Sequence, residues 1–523
     1  MRGNGTTGNG TTGNVTGIGG ARLPRVVLVG DVMLDRDVDG RSERLSPDGP
    51  VPVVDVSATR ESPGGAGLAA LLCAERGARV TLVAPVADDE PGRRLAERLR
   101  RDLTLVALPH QGDTRTKTRV RSGGQSLVRV DGGGPGTPGE LPLEEVRSVL
   151  DGADLVLVSD YGAGVTRDDG LRALLAEAAT STPLVWDPHP KGGEPVPGAF
   201  LVTPNVSEAR AGAPDDTASP DLLATDLLTR WQAAAVCVTA GEEGAYLVRP
   251  GNEPVFFPAA AADGDPCGAG DQLVASAAVA LAGGAPVTQA LEQAVADASA
   301  WVAAGGADGF RYRLASKDAA RTNARVDGST GDGMVGDGRT ADGVTGDGGA
   351  GSTALRGRPW SADPAALDRL VARLRGDGGT LVATGGCFDI VHAGHVATLE
   401  AARRLGDHLV VVMNSDPSVA RLKGPGRPVV PAADRARVLE ALDCVDAVVV
   451  FDEDDPRAVL DRMRPDVWAK GGDYTAPLPE AEIVRRRGGR VVVLPFLDGR
   501  STTSIIQRSG LARARSSTGR STA

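Results

Sequence analysis

Aromatic residues are scarce, at 3 % of 523 residues. Buried cores must therefore be filled by Val, Leu and Ala. Cysteine is also rare: Cys73, Cys237, Cys267, Cys387 and Cys444 are scattered, with no C-x-x-C pair. That spacing excludes a disulfide framework and fits a reduced compartment. Positive charge is not in excess, because the formal net charge is -11. General nucleic-acid binding needs a basic face and stacking aromatics, so it is disfavoured. No apolar run reaches the roughly 18 residues of a membrane span. A charged-then-apolar leader pattern is missing too, and a cytoplasmic location is expected. Histidine is limited to five residues, which gives weight to any cluster of them.

What remains is enough apolar residue, 41 % of the chain, for more than one core. Residues 1–21 repeat a Gly-Asn-Gly-Thr-Thr unit and are expected to form a disordered tail. Residues 321–359 are rich in Gly and Asp and read as a linker. Two ordered regions follow, 22–320 and 360–512, with a tail over 513–523. Both alternate short Val-rich runs with Ala/Leu/Arg helical patterns. RVVLVGD, DLVLVSD and AAVCVTAG are examples in the first, and HLVVVMNSD and RVVVLPF in the second. This predicts α/β domains with parallel sheets, whose ligands bind past the carboxyl ends of strands. VPVVDV, TRTKTRVRS and QSLVRVD alternate differently and predict a small antiparallel lid over the first site.

In the first region, Gly268-Ala269-Gly270-Asp271 opens a long Ala/Val/Leu helix. Small residues let backbone N–H groups approach an anion, and the helix N-terminus adds positive potential. Such a cradle stabilises charge on a transferred γ-phosphate, with Asp271 as a base for a sugar hydroxyl. A glycine turn with a capping Asp is the plainer alternative. Gly64 and Gly65 lie in a second glycine-rich turn. Asn205-Val206-Ser207-Glu208 supplies an amide and a carboxylate suited to organising Mg²⁺-bound phosphate through water. It also reads as a simple helix cap. Thr239, Gly241 and Gly244 mark another polar turn after a strand. Asp31 and Asp35 can hold sugar hydroxyls or cap a turn.

In this order and spacing these segments resemble the ribokinase (PfkB) family of carbohydrate kinases. VGDVMLDRDVDGRSERLSPDGPVPVV, TKTRV, SDYGAGV and TPNVSE narrow the resemblance to the kinase half of bifunctional heptose enzymes of ADP-heptose synthesis. The resemblance implies a ribokinase-like domain with a β lid. It implies that Asp271 is the base and 268–270 the anion hole. It places Asn205–Glu208, Thr239, Gly241 and Gly244 at ATP, with Glu208 toward magnesium. Asp31, Asp35, Gly64, Gly65, Lys117 and Arg119 then face the sugar. Leu68 stands where the family usually has Asn, Ala163 where a Lys is common, and Asp37 and Asp39 where aromatics are expected.

The second region contains His392-Ala393-Gly394-His395. Two imidazoles at a helix start can donate to an α-phosphate, and positioning with charge stabilisation suffices for in-line attack. Surface histidines or half a metal site are the alternatives, and no third ligand cluster is nearby in sequence. Ser501, Thr502 and Thr503 offer hydroxyl donors at another helix start. Lys423 and Arg427 form a basic loop that clamps a triphosphate or is merely solvated. Lys470 closes a strand near the nucleotide. GCFDIVHAGHV and NSDPSVARLKGPGRPV resemble the H-x-G-H cytidylyltransferase-like superfamily, a Rossmann-like fold, and within it heptose-1-phosphate adenylyltransferases. By that resemblance Gly386, Cys387 and Phe388 also border the nucleotide. Gly385 departs from the family's Asn.

A kinase followed by a nucleotidyltransferase implies a bifunctional enzyme that uses ATP and Mg²⁺ at both sites. It acts on a sugar phosphate, away from membranes and nucleic acids, as a homodimer. Two alternatives stay open. One is a different sugar or nucleobase. The other is a kinase fold kept only for dimerisation or binding.

Overall fold

The computed structural model describes residues 22–123, 125–134, 137–211, 213–326, 360–361, 364–376, 378–472 and 478–495. Its Val-rich runs are strands buried on both faces, as parallel sheets require. Arg25–Gly30, Leu155–Ser159 and His408–Asn414 each carry four or more fully enclosed residues. The first strand, Arg25–Gly30, lies between Arg79–Pro85 and Leu155–Ser159, parallel to both. Leu184–Asp187, Leu201–Val202 and Val236–Thr239 extend the sheet in parallel. Gly244–Val248 and Val255–Pro258 then add two antiparallel steps.

Helices cover the two faces. Ala66–Glu75, Ala269–Ala282 and Val287–Ala303 contribute to one core, and Leu143–Leu150, Asp169–Ala178 and Pro220–Trp231 to the other. Trp186 and Trp468 are the largest fully buried side chains, and Val, Leu and Ala fill most of the rest. The helix after the first core runs Gly306–Val326, past the expected linker start at 321.

The second region repeats the plan. Leu381–Gly386 lies between His408–Asn414 and Val467–Gly471, parallel to both. In each region the first long strand is thus where chain order reverses. That is the topological switch point at which an open sheet leaves a crevice past its strand ends. Val255 pairs with Val493, which joins strands of both regions into one 15-stranded sheet.

The lid is also corrected. It has four strands in the order Pro52–Gly65, Val32–Leu45, Thr116–Ser122, Gln125–Gly132. Val32–Leu45 pairs parallel with Thr116–Ser122, so the sheet is mixed rather than antiparallel. The reason is connectivity: a helical crossover and two sheet strands intervene, and the chain returns running the same way. Among the described residues no helix is long and apolar enough to cross a membrane.

Candidate active sites

Asp271 lies in the first turn of Ala269–Ala282 and is 8 % exposed. Burial pushes its carboxyl up to about 7, against a donated hydrogen bond from the Tyr161 hydroxyl at 2.6 Å. Gly268 caps the helix at φ 79°, and a side chain there would crowd Leu68 and Trp301. Gly270 faces open space, so its backbone is approachable. The loop is braced by Trp301 Nε1 donating to the Cys267 carbonyl at 2.9 Å. Leu68 is buried against Gly268.

Asp31 accepts from the backbone N–H groups of Tyr161 and Ala163 at 3.2 and 2.8 Å, which holds that turn beside Asp271. Asp35 pairs with Arg119 at 3.2 Å. A Cβ on Gly64 would lie 2.5 Å from the Asp35 carboxylate, so glycine is required. Gly65 has φ 61° and passes close to Asp31 and Met33. Lys117 sits 5.6 Å over the Tyr161 ring.

Lys117 also lines a 670 Å³ cavity together with Arg115, Arg129, Arg167, His189 and Lys191. Sequence reading missed these others because they come from the lid and from three loops. Of these others only Arg115 lies in the basic run TRTKTRVRS, which reads equally well as a solvated strand; the rest are scattered in the chain and carry no shared signal. His189 is held below its usual pKa by burial and by Arg115 and Lys117. Asp131 also lines the cavity and pairs with Arg129 at 2.9 Å, so Arg115, Lys117, Arg167 and Lys191 are what make it net positive and suited to an anion.

The expected ATP residues lie at the ends of Leu201–Val202 and Val236–Thr239, where Asn205 bridges to Thr239. Asn205 and Glu208 form a capping box: the amide oxygen accepts from Glu208 N–H at 3.0 Å, and Glu208 accepts from Asn205 N–H at 2.9 Å. Val206 and Ser207 begin that five-residue helix. Gly241 turns at φ 59° into open space. Gly244 is structural, because a Cβ there would meet the Phe257 carbonyl at 2.0 Å. Asp187 was not singled out from sequence. It is half-buried, and its pKa is raised by desolvation and by the charges of Asp271 and Glu208. Burial raises Glu208 too. Among the described residues no three His, Cys, Asp or Glu side chains converge into a metal cage.

In the second site His392 caps helix Ala393–Arg403. Its ring stacks on His395, with centroids 3.8 Å apart and planes 21° apart. His395 also touches Phe388 at 5.2 Å. Burial, then the neighbouring charges of His392 and Lys423, pushes His395 down to about 4. A 440 Å³ cavity opens on Gly386, Cys387, Phe388, His395, Lys423 and Lys470. Six sequence-derived residues thus share one space.

Arg427 is the exception. Its guanidinium lies 2.5 Å from Asp389, whose other oxygen accepts from Val429 N–H at 2.6 Å. It braces the loop, because a buried carboxylate captures the nearest cation. Ser501, Thr502 and Thr503 lie outside the described residues.

Two further residues complete this site. Arg435, 1 % exposed, donates to the carbonyls of Cys387 and Asn414 at 2.5 and 3.0 Å and pairs with Asp416 at 2.7 Å. It ties the glycine loop to the next strand. Trp468 explains Gly385: a Cβ there would lie 2.6 Å from the indole, which fills the space a larger residue would take.

The pfkB family carbohydrate kinase model matches residues 23–310, and the Cytidylyltransferase-like model matches 383–508. The bifunctional protein HldE of Streptomyces coelicolor is 49 % identical over 492 residues, covering 92 % of this chain and 96 % of its own length. HldE of Vibrio vulnificus strain CMCP6 is 38 % identical over 491 residues with the same coverage. A solved ribokinase of Arabidopsis thaliana, bound to ribose and ATP, aligns over 56 % of this chain and 98 % of its own, at TM-score 0.44 and 18 % identity.

Proposed function

Because the chain belongs to the HldE family of bifunctional proteins, a pfkB carbohydrate kinase joined to a cytidylyltransferase-like unit, we propose that it makes an ADP-heptose in two steps. The division falls in the region 321–359. The first unit phosphorylates D-glycero-β-D-manno-heptose 7-phosphate at O1. The second transfers the adenylyl group of ATP to heptose 1-phosphate, releasing pyrophosphate. Between them a separate phosphatase must remove the 7-phosphate.

In the first step Asp271 takes the proton of the sugar O1 hydroxyl. The oxygen attacks the γ-phosphorus of ATP, and the bond to the β-phosphate oxygen breaks, releasing ADP. The backbone at 268–270 and the helix N-terminus face the charge on the transferred group. Tyr161 holds the Asp271 carboxyl in place. The cavity of Arg115, Lys117, Arg129, Arg167, His189 and Lys191 takes the phosphate at the far end of the sugar. Asp31, Asp35, Gly64, Gly65 and Arg119 shape the sugar side.

Mg²⁺ fits the acidic side of this site. Asp187 and Glu208 are both raised by burial, and Asp187 also by neighbouring negative charge, which a cation relieves. These two would hold it through water, since the described residues form no direct cage. The ion supplies charge neutralisation on the phosphates.

In the second step an oxygen of the sugar phosphate attacks the α-phosphorus. His392 and His395 donate hydrogen bonds to its oxygens, and Lys423 and Lys470 face the departing pyrophosphate. The neutral state of His395 makes it a directional donor rather than a fixed charge.

The enzyme works in the cytosol, where its unpaired cysteines stay reduced. It dimerises through the lid, whose exposed Leu127, Val128 and Val130 gain from being covered.

One observation carries the reading: two helix N-termini at two switch points, one beside a buried carboxylate and the other bearing stacked imidazoles. Purified protein is given the heptose 7-phosphate, ATP, Mg²⁺ and a phosphatase, and the product is weighed by mass spectrometry. ADP-heptose is expected, and a different nucleobase or no nucleotide sugar would overturn it. Asp271→Asn should stop the reaction before the bisphosphate. His395→Ala should stop it after the monophosphate.

A further inference from the structure

The hairpin Gly244–Val248 and Val255–Pro258 ends the first unit's sheet, and its two faces are treated differently. Val255 and Phe257 point into the kinase core under Val287–Ala303. Tyr246 and Phe256 point the other way, at 3 and 0 % exposure. There they pack in one cluster with Leu399, Leu405, Val492 and Leu494 of the transferase. The outer edge of Val255–Pro258 is used as well: Val493 N–H donates to the Pro254 carbonyl at 2.8 Å.

Polar groups close the seam. Asp221, 1 % exposed, pairs with Arg490 at 2.9 Å, its ion-pair partner from the other unit. Glu253 pairs with Arg485, and Arg404 donates to the Ala259 carbonyl at 2.5 Å. Without the transferase this edge would present unpaired strand groups, two uncovered aromatic rings and a buried carboxylate lacking its cation. Each is unfavourable in water or in a core.

We propose that this hairpin is a docking surface for the chain's own transferase, which makes the two catalysts one rigid body. The strand directions add a consequence. Val255–Pro258 and Arg490–Leu494 are parallel, so the strands carrying both sites end at the same edge of the shared sheet. Twist of roughly 20° per strand turns that edge between them, so the two crevices face different directions. Nine strand spacings separate Arg25–Gly30 from Leu381–Gly386, roughly 40 Å at ~4.8 Å each. The intermediate must then leave the first crevice to reach the second, which gives the intervening phosphatase access to it.

The test inserts a specific protease site between residues 330 and 350 and cuts the folded protein. The halves are expected to co-elute in gel filtration at micromolar concentration. Arg490→Glu should separate them, and adding Asp221→Arg to it should bring them back together. Separation of the unaltered halves would overturn the proposal, and so would co-elution of the Arg490→Glu halves. In the uncut protein the Val493 amide should exchange at least 100-fold more slowly than an exposed loop amide. Exchange at the loop rate would refute the pairing without reference to any activity.

Discussion

Asp271 and His395 sit at comparable helix starts, yet burial drives them in opposite directions, to about 7 and about 4. Desolvation disfavours the charged form, so a buried acid rises and a buried imidazole falls. In the proposed kinase step Asp271 must be ionised to accept the hydroxyl proton. Kinase kcat/KM should therefore fall about tenfold from pH 8 to pH 6. Transferase activity, with His395 neutral throughout, should stay within about twofold over the same range. Parallel assays of one preparation check this. Because the folded pKa of Asp271 lies above its ordinary 3.8, stability is full below about pH 4 and is lost as pH rises through 7. Asp271→Asn should thus raise Tm at pH 8 and leave it unchanged near pH 3.5, while lowering kinase turnover by about 10²–10⁴. A calorimetric scan at both pH values reads the first effect.

At the scale of elements, the lid is held over its site by charge as much as by pairing. Asp37, fully enclosed on Val32–Leu45, lies 2.5 Å from Arg311 of helix Gly306–Val326. The same guanidinium reaches within 3.9 Å of Asp35, which Arg119 also holds. Burial raises the Asp37 pKa, and Arg311 is the largest influence opposing it. This explains an acid where the family places an aromatic: the position here faces a cation rather than solvent. Arg311→Met should leave two carboxylates without that partner and cost about 3–5 kcal/mol. Urea unfolding monitored at the kinase should show it, with a raised KM for the sugar phosphate. Arg311→Lys should recover part of both. The motifs G-A-G-D and H-A-G-H, on other elements, were legible in sequence, because they are local and their turns are set by their own glycines. Arg311 was not legible, since nothing in the chain near 311 announces a partner at 37.

At the scale of the molecule, exposed apolar side chains concentrate on the lid. Leu127, Val128 and Val130 are 43, 50 and 54 % exposed on Gln125–Gly132. The proposed lid-to-lid dimer would cover them and remove that surface from water. Val130→Glu should shift the protein to a monomer in sedimentation velocity at micromolar concentration. Transferase turnover should be unaffected, because that cavity lies in the other unit. An unchanged sedimentation coefficient would remove the lid as the dimer contact.

Sequence by itself did not determine the hairpin Gly244–Val248 and Val255–Pro258, but it determined most of the parallel strands and the two glycine-bearing helix starts. Local periodicity and glycine placement fix these through short-range sterics and hydrogen bonds. Tertiary structure alone decided what those residues touch. Tyr161 meets Asp271 across 110 positions, Trp468 fills the space beside Gly385, and Arg427 turns to Asp389. It also decided that the strands of both regions share one sheet, through an edge pairing whose partners, Val255 and Val493, look like any other strand valines. Such contacts depend on packing between segments distant in the chain, and neither composition nor spacing encodes which distant surfaces will meet.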